Sequence, residues 1–153
     1  MKIAAEYIEV HIFRRINDKI EFLILKRAET ESYAGIWQPI TGSIIEGEKA
    51  YETAIREIKE EINVEPINFW VAPNVSSFYL PEKDCVSFVP VFAAEINANA
   101  KVQISEEHSE FRWVNFEEAQ KKYAWKEQRE SLNVVNEYFN NVSYLHFSEL
   151  KLK

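Results

Sequence analysis

Cysteine is nearly missing from these 153 residues, and positive charge is scarce. Cys85 stands alone, so no intrachain disulfide can form, and a reducing interior is the expected home. Eighteen Lys and Arg against 25 Asp and Glu leave a formal charge of −7, without the basic stripe of a non-specific nucleic-acid binder. No stable nucleic-acid partner is therefore expected. A phosphorylated small molecule remains compatible, because a bound metal can reverse the local field. No apolar run reaches the roughly 18 residues that a membrane span requires, and no basic-then-apolar segment opens the chain. The expectation is a cytoplasmic protein with no membrane partner. Low-complexity linkers and internal repeats are also absent, so residues 1–153 are expected to form a single domain. A chain of this size buries roughly two thirds of its unfolded surface, and 46% apolar content supplies the core.

What the chain does contain is strand patterning with one acidic helix. Ile3 to Phe13 alternates, with Ile8, Val10 and Ile12 set against Glu9 and His11, and Ile20 to Leu25 is a second β-rich run. Asn17-Asp18 between them is a turn signal, so the two runs are expected to form a hairpin. Residues 26–36 read as a loop, and Trp37 to Ile40 as a short strand feeding Thr41-Gly42. Residues 49–62 predict a helix whose apolar face is Tyr51, Ala54, Ile55, Ile58 and Ile62. Further strands are expected at Asn68 to Phe78, Val86 to Ile96 and Phe111 to Val114, with Pro90 marking an edge or a bulge. Phe116 to Trp125 and Glu127 to Phe139 predict one broken helix or two successive ones. The tail from Ser143 is ambiguous, although Tyr144 to Phe147 has strand character.

Glycine is rare too, with three in the chain, and one of them opens the most informative segment. Gly42 is followed after five residues by Glu48, and after seven more by Arg56-Glu57-Ile58-Lys59-Glu60-Glu61-Ile62-Asn63-Val64. On a helix, Glu57, Glu60 and Glu61 fall at i, i+3 and i+4, about 5–6 Å apart at Cβ. A solvated acidic face is the ordinary meaning of such a run. Three carboxylates this close repel unless a cation joins them. A hard divalent ion that takes oxygen ligands and substrate phosphates is the natural partner.

This segment resembles the Nudix box, in which Gly, five residues, Glu, seven residues and Arg-Glu-aliphatic-any-Glu-Glu-any-Gly-aliphatic define the motif. The final Gly is Asn63 here, the residue type best able to replace glycine in a left-handed helix cap. The resemblance implies an α/β/α sandwich around a central mixed sheet (an α+β fold) and Mg²⁺ as cofactor, with Mn²⁺ as an alternate. It also implies roles. Glu57, Glu60 and Glu61 would be metal ligands, with the backbone at Gly42 as a further one. Glu48 would support Arg56, and Arg56 would orient Glu57. An extra carboxylate, acting as base or ligand, is expected from Ser105 to Glu110, with Glu107 set against Glu106. His108 is expected to be a structural or loop residue.

Within the family, Trp37-Gln38-Pro39-Ile40-Thr41-Gly42-Ser43, the Glu107-His108 to Trp113 segment, and Trp125 with Arg129 resemble bacterial dihydroneopterin triphosphate pyrophosphatases. Trp37 and Gln38 would then meet a flat heterocycle, unless Trp37 belongs to the core. Arg27, Lys126 and Arg129 would meet phosphates, unless they are ordinary surface cations. The expected activity is Mg²⁺-dependent cleavage of a nucleoside triphosphate or dihydroneopterin triphosphate, releasing pyrophosphate, by a monomer or homodimer. One alternative is a diadenosine tetraphosphate hydrolase with an aromatic clamp from Tyr79 or Tyr123. Another is a non-catalytic Nudix-like ligand sensor.

Overall fold

A computed structural model describes residues 1–140 and 147–152. Among the described residues, nine strands form one mixed sheet: β1 (Lys2–Ala4), β2 (Tyr7–Ile16), β3 (Lys19–Arg27), β4 (Trp37–Gln38), β5 (Ile40–Ser43), β6 (Asn68–Leu80), β7 (Cys85–Glu95), β8 (His108–Val114) and β9 (Ser148–Glu149). The helices are α1 (Ala50–Ile62), α2 (Phe116–Lys122) and α3 (Lys126–Asn140). The main path runs β4-β3-β2-β7-β6-β9, with β1 on β7, β5 on β2 and β8 on β3. β7 runs parallel to β1 and to β2, and the other pairings are antiparallel.

Strand alternation sends side chains to two separate cores. Ile8, Val10 and Ile12 of β2, Leu23 and Leu25 of β3, and Phe92 and Ala94 of β7 meet Ala54, Ile58 and Ile62 of α1. The intervening positions, among them Phe13, Phe22, Ile24, Val91 and Ala93, meet Ala119 of α2 and Leu132 and Val135 of α3. Helices cover both faces, so this is the expected α/β/α sandwich. Covering both faces has one consequence the alternation alone did not carry. Glu9 and His11, the polar half of the β2 pattern, are buried at 3% and 0% exposure.

The β2–β3 hairpin turns at Asn17 (φ 50°) and Asp18 (φ 63°), two left-handed residues in succession, as a tight two-residue connection requires. Other expectations shift at their boundaries. Ile3 to Phe13 is two strands, because β1 pairs with Cys85 to Ser87 while β2 pairs further along β7, with Val91 to Glu95. Trp37 to Ile40 is likewise divided at Pro39: β4 joins β3, and β5 joins β2. Pro90 lies in the sheet interior rather than at an edge, and its pairing with Val75 borders the β6 bulge. The two C-terminal helices are separate, as one of the two readings required. Tyr51 leaves the α1 apolar face and is 39% exposed, near the helix start. Tyr144 to His146 of the ambiguous tail lie outside the described residues, while Phe147 is buried on the α3 side.

Candidate functional site

Helix α1 is fixed at both ends before it presents any chemistry. The backbone N–H of Lys49 donates to Glu52 Oε1 at 2.9 Å, closing the first turn. Asn63 ends the helix at φ 54°, ψ 40°, and its N–H donates to the Lys59 carbonyl. The left-handed cap expected of Asn63 is therefore present.

Arg56 is the hub of the acidic cluster. Its Nε and Nη2 donate to Glu48 at 2.8 and 3.0 Å, its Nη1 to Glu57 (2.9 Å) and Glu60 (3.1 Å), and its Nη2 also to the Ser43 carbonyl. Thr53 Oγ1 donates to Glu48 at 2.6 Å. Arg56 and Thr53 together hold the Glu48 carboxyl down at about 2. Glu57 is pushed the other way: burial raises it, Arg56 opposes, and Glu61 and Glu60 add repulsion. Gly42 lies beneath Glu57. A Cβ there would run into Glu57 Cγ and Cδ, so the missing side chain is clearance for a carboxylate.

Glu61 points to the other end of the cluster. Burial works to raise its pKa, but His108, Glu107 and Ser105 outweigh burial and the net shift is downward. His108 Nδ1 is 2.8 Å from Glu61 Oε2, an ion-pair distance, although neither atom makes an aligned hydrogen bond. His108 Nε2 meets Gln38 Nε2 at 3.3 Å. His108 is buried. Glu107 is pushed up to about 7 by its hydrogen bond with Glu61, by burial, and by repulsion from Glu61, Glu57 and Glu31. Glu106 lines neither of the cavities described below.

Among the described residues, no three His, Cys, Asp or Glu side chains are already drawn together at metal-holding distance. The donor set nevertheless suits a hard cation. It is all oxygen, and a carboxyl held near 7 by its neighbours is one that a cation would ionise.

Two contiguous cavities adjoin this cluster. One, of about 410 Å³, is lined by Gly42, Arg56, Glu57 and Glu107, together with Arg27 and Glu31. The other, of about 650 Å³, lies between the second face of the sheet and the start of α3. Its floor includes Glu9, Ser76 and Gln128, and its mouth Tyr33, Tyr79 and Trp125. Tyr7, Arg27 and Thr41 line both. Tyr33 and Trp125 meet edge-on with ring centroids 5.2 Å apart.

Of the residues singled out in the sequence, Gly42, Glu48, Arg56, Glu57, Glu60, Glu61 and Glu107 gather as one cluster. Arg27 sits at the junction of the cavities, anchored by Nε to the Ser32 carbonyl at 2.6 Å. Gln38 lines the larger cavity, but Trp37 lines neither; its ring lies beneath Arg112 and Lys122 and packs on the α3-side core. Lys126 pairs with Glu130 at 3.3 Å. Arg129 donates to the carbonyls of Tyr123 and Ala124, holding the α2–α3 turn rather than facing either cavity. Tyr79 reaches the larger cavity, whereas Tyr123 is buried at 2% exposure. Sequence reasoning missed Tyr7, Glu9, Tyr33 and Gln128, which come from a strand register, a turn and a helix start.

Comparison with known proteins agrees with this fold. The NUDIX domain family matches residues 7–135. The Caenorhabditis elegans bis(5'-nucleosyl)-tetraphosphatase [asymmetrical] is 31% identical over 109 residues, spanning 71% of this chain and 77% of that protein. A crystal structure of a C. elegans Ap4A hydrolase binary complex superposes with a TM-score of 0.75 at 25% identity, covering 92% of this chain and 98% of that one. The dihydroneopterin triphosphate diphosphatase of Escherichia coli (strain K12) is 38% identical, but over 50 residues, 33% of this chain and 31% of that protein. Among the described residues, no helix is long and apolar enough to cross a membrane. The chain belongs to the NUDIX domain family, as a hydrolase of acid anhydrides in phosphorus-containing compounds.

Proposed function

We propose that residues 1–153 form one hydrolase domain that cleaves a dinucleoside polyphosphate asymmetrically, with Mg²⁺ as cofactor and Mn²⁺ as an alternate. One observation carries this reading: a carboxylate-lined cavity adjoins a larger, aromatic-lipped one, with Tyr7, Arg27 and Thr41 lining both. Such a shape suits a ring in the large cavity and a phosphate chain running past the carboxylates. Likeness to a tetraphosphatase over 71% of the chain supports that order of preference and reverses the one drawn from the sequence. Dihydroneopterin triphosphate is the second reading. It is favoured by the local 38% identity.

Glu57, Glu60, Glu61, Glu107 and the Gly42 backbone would hold the cation. When bound, it supplies Lewis-acid neutralisation of charge on the phosphates and lowers the pKa of water. Arg56 holds the Glu57 carboxylate through one hydrogen bond from Nη1, and Glu48, itself held by Thr53, fixes Arg56 through paired bonds. Arg27 faces the phosphate path. Glu107, at the cavity edge, takes the proton as water oxygen attacks phosphorus; the P–O anhydride bond breaks and its electron pair leaves with the departing phosphate.

The test is a Mg²⁺ assay on diadenosine tetraphosphate, diguanosine tetraphosphate, ATP and dihydroneopterin triphosphate. A dinucleoside tetraphosphate yielding the nucleoside triphosphate and monophosphate is expected, with Glu57→Gln and Glu61→Gln each lowering kcat by roughly 10²-fold or more. Turnover unchanged in both variants would sink the assignment. Pyrophosphate release from the pterin substrate alone would move it to the second reading.

A further inference from the structure

Nothing in the hydrolytic machinery uses Glu9 or His11, yet both are charged or chargeable groups sealed in the sandwich. His11 Nε2 donates to Glu9 Oε2 at 2.6 Å, in a pair whose side chains are 0% and 4% exposed. A buried carboxylate is costly unless its oxygens are satisfied. Here, one of them is. No hydrogen bond among the described residues reaches Glu9 Oε1, and Glu9 lines the larger cavity beside Gln38 and Thr41.

A second acceptor is left open in the same wall. Gln128, 7% exposed, also lines the cavity, and its Oε1 has no partner. Ser76, beside it, is already committed to Ser131 at 2.9 Å. The floor therefore presents two waiting acceptors, a carboxylate oxygen and an amide oxygen, beneath an aromatic lip.

We propose that Glu9, seated by His11 and assisted by Gln128, recognises a heterocycle through a donor edge: a ring N–H next to an exocyclic amino group. The shared chemistry is the 2-amino-4-oxo ring, as in guanine or a pterin. Such an edge offers two adjacent N–H donors to an acceptor-only carboxylate. Adenine offers its amino group beside a ring nitrogen acceptor, whose lone pair would oppose the carboxylate. Glu9 is thus a specificity residue, separate from the acids of α1. The inference rests on the large cavity being the ring site of the proposed hydrolase, and it names the ring.

The experiment reads binding without turnover, so that its failure is distinct from failure of the hydrolase reading. Metal-free, full-length protein is titrated calorimetrically with guanosine monophosphate, neopterin monophosphate and adenosine monophosphate. At least one of the first two is expected to bind about 10- to 100-fold more tightly than the adenine ligand. Which of them binds more tightly separates the nucleotide source from the pterin source. Glu9→Gln keeps an acceptor for His11 but offers an amide, which can pair with adenine's donor-acceptor edge. It is expected to erase the preference or reverse it toward adenine. Gln128→Leu, which leaves the Glu9–His11 pair intact, is expected to narrow the preference several-fold, and it serves if Glu9→Gln fails to fold. Equal binding of all three ligands, no binding of any, or an undiminished preference in the variants that fold would overturn the proposal.

Discussion

At the residue scale, the site depends on one clearance and one hub. Gly42 sits in ordinary extended backbone on β5, so its value is the space it leaves for Glu57 and not a left-handed conformation. Gly42→Ala is expected to displace Glu57 while β5 keeps its pairing with β2. Weaker binding of Mg²⁺ by at least 10-fold, with a melting temperature within a few degrees of the parent, is the outcome to look for by calorimetry and thermal melts. Glu107 adds a pH dependence whose sign can be worked through. Its carboxyl is raised from 4.5 to about 7 in the folded, metal-free protein. Folded chains keep that proton where unfolded chains lose it, so its contribution to stability is full below about 4.5. It is lost as pH rises through about 7. A cation must expel the same proton. Mg²⁺ binding should release a proton near pH 6 and much less above pH 8, and Glu107→Gln should remove the difference. Titration in buffers of different ionisation enthalpy checks it.

The α1 element shows why the acids were legible in the sequence and their surroundings were not. Spacings of three and four along a helix are local geometry, so Glu57, Glu60 and Glu61 declare their shared face without any tertiary information. The cap was legible for the same reason, since Asn63 needs only its own φ and ψ. Its cost is local as well. Asn63→Gly should be neutral or stabilising by up to about 1 kcal/mol, and Asn63→Ala destabilising by about 1 kcal/mol, as read from chemical denaturation. Burial of Glu57 and Glu61 was not legible, because it depends on Gly42 and on the His108 strand lying across them. Trp37 shows the converse. The resemblance carried by Trp37 to Ser43 suggested a ligand contact, while Arg112 and Lys122, distant in sequence, occupy its face.

For the whole molecule, the sandwich divides labour between its layers. The core beneath α1 supports the acids, and the core beneath α2 and α3 supports the wall of the ring cavity. Strand alternation foresaw a buried face for Ile8, Val10 and Ile12. It was silent on the opposite face, because whether Glu9 and His11 meet water depends on where α3, over a hundred residues later, comes to rest. That division predicts different failures from equal damage. Ile58 and Leu132 are both 0% exposed, one in each core. Truncating either to Ala should cost roughly 2–5 kcal/mol of stability. Ile58→Ala loosens the turn that bears Glu57 and Glu61, so it should lower kcat and weaken Mg²⁺ binding with little change in ring affinity. Leu132→Ala sits one helical turn from Gln128, so it should raise KM and weaken ring binding while Mg²⁺ affinity holds. Steady-state kinetics and metal titration, run below the melting transition of each variant, separate the two. If both variants lost kcat and metal affinity alike, the layers would act as one unit and the division would be wrong.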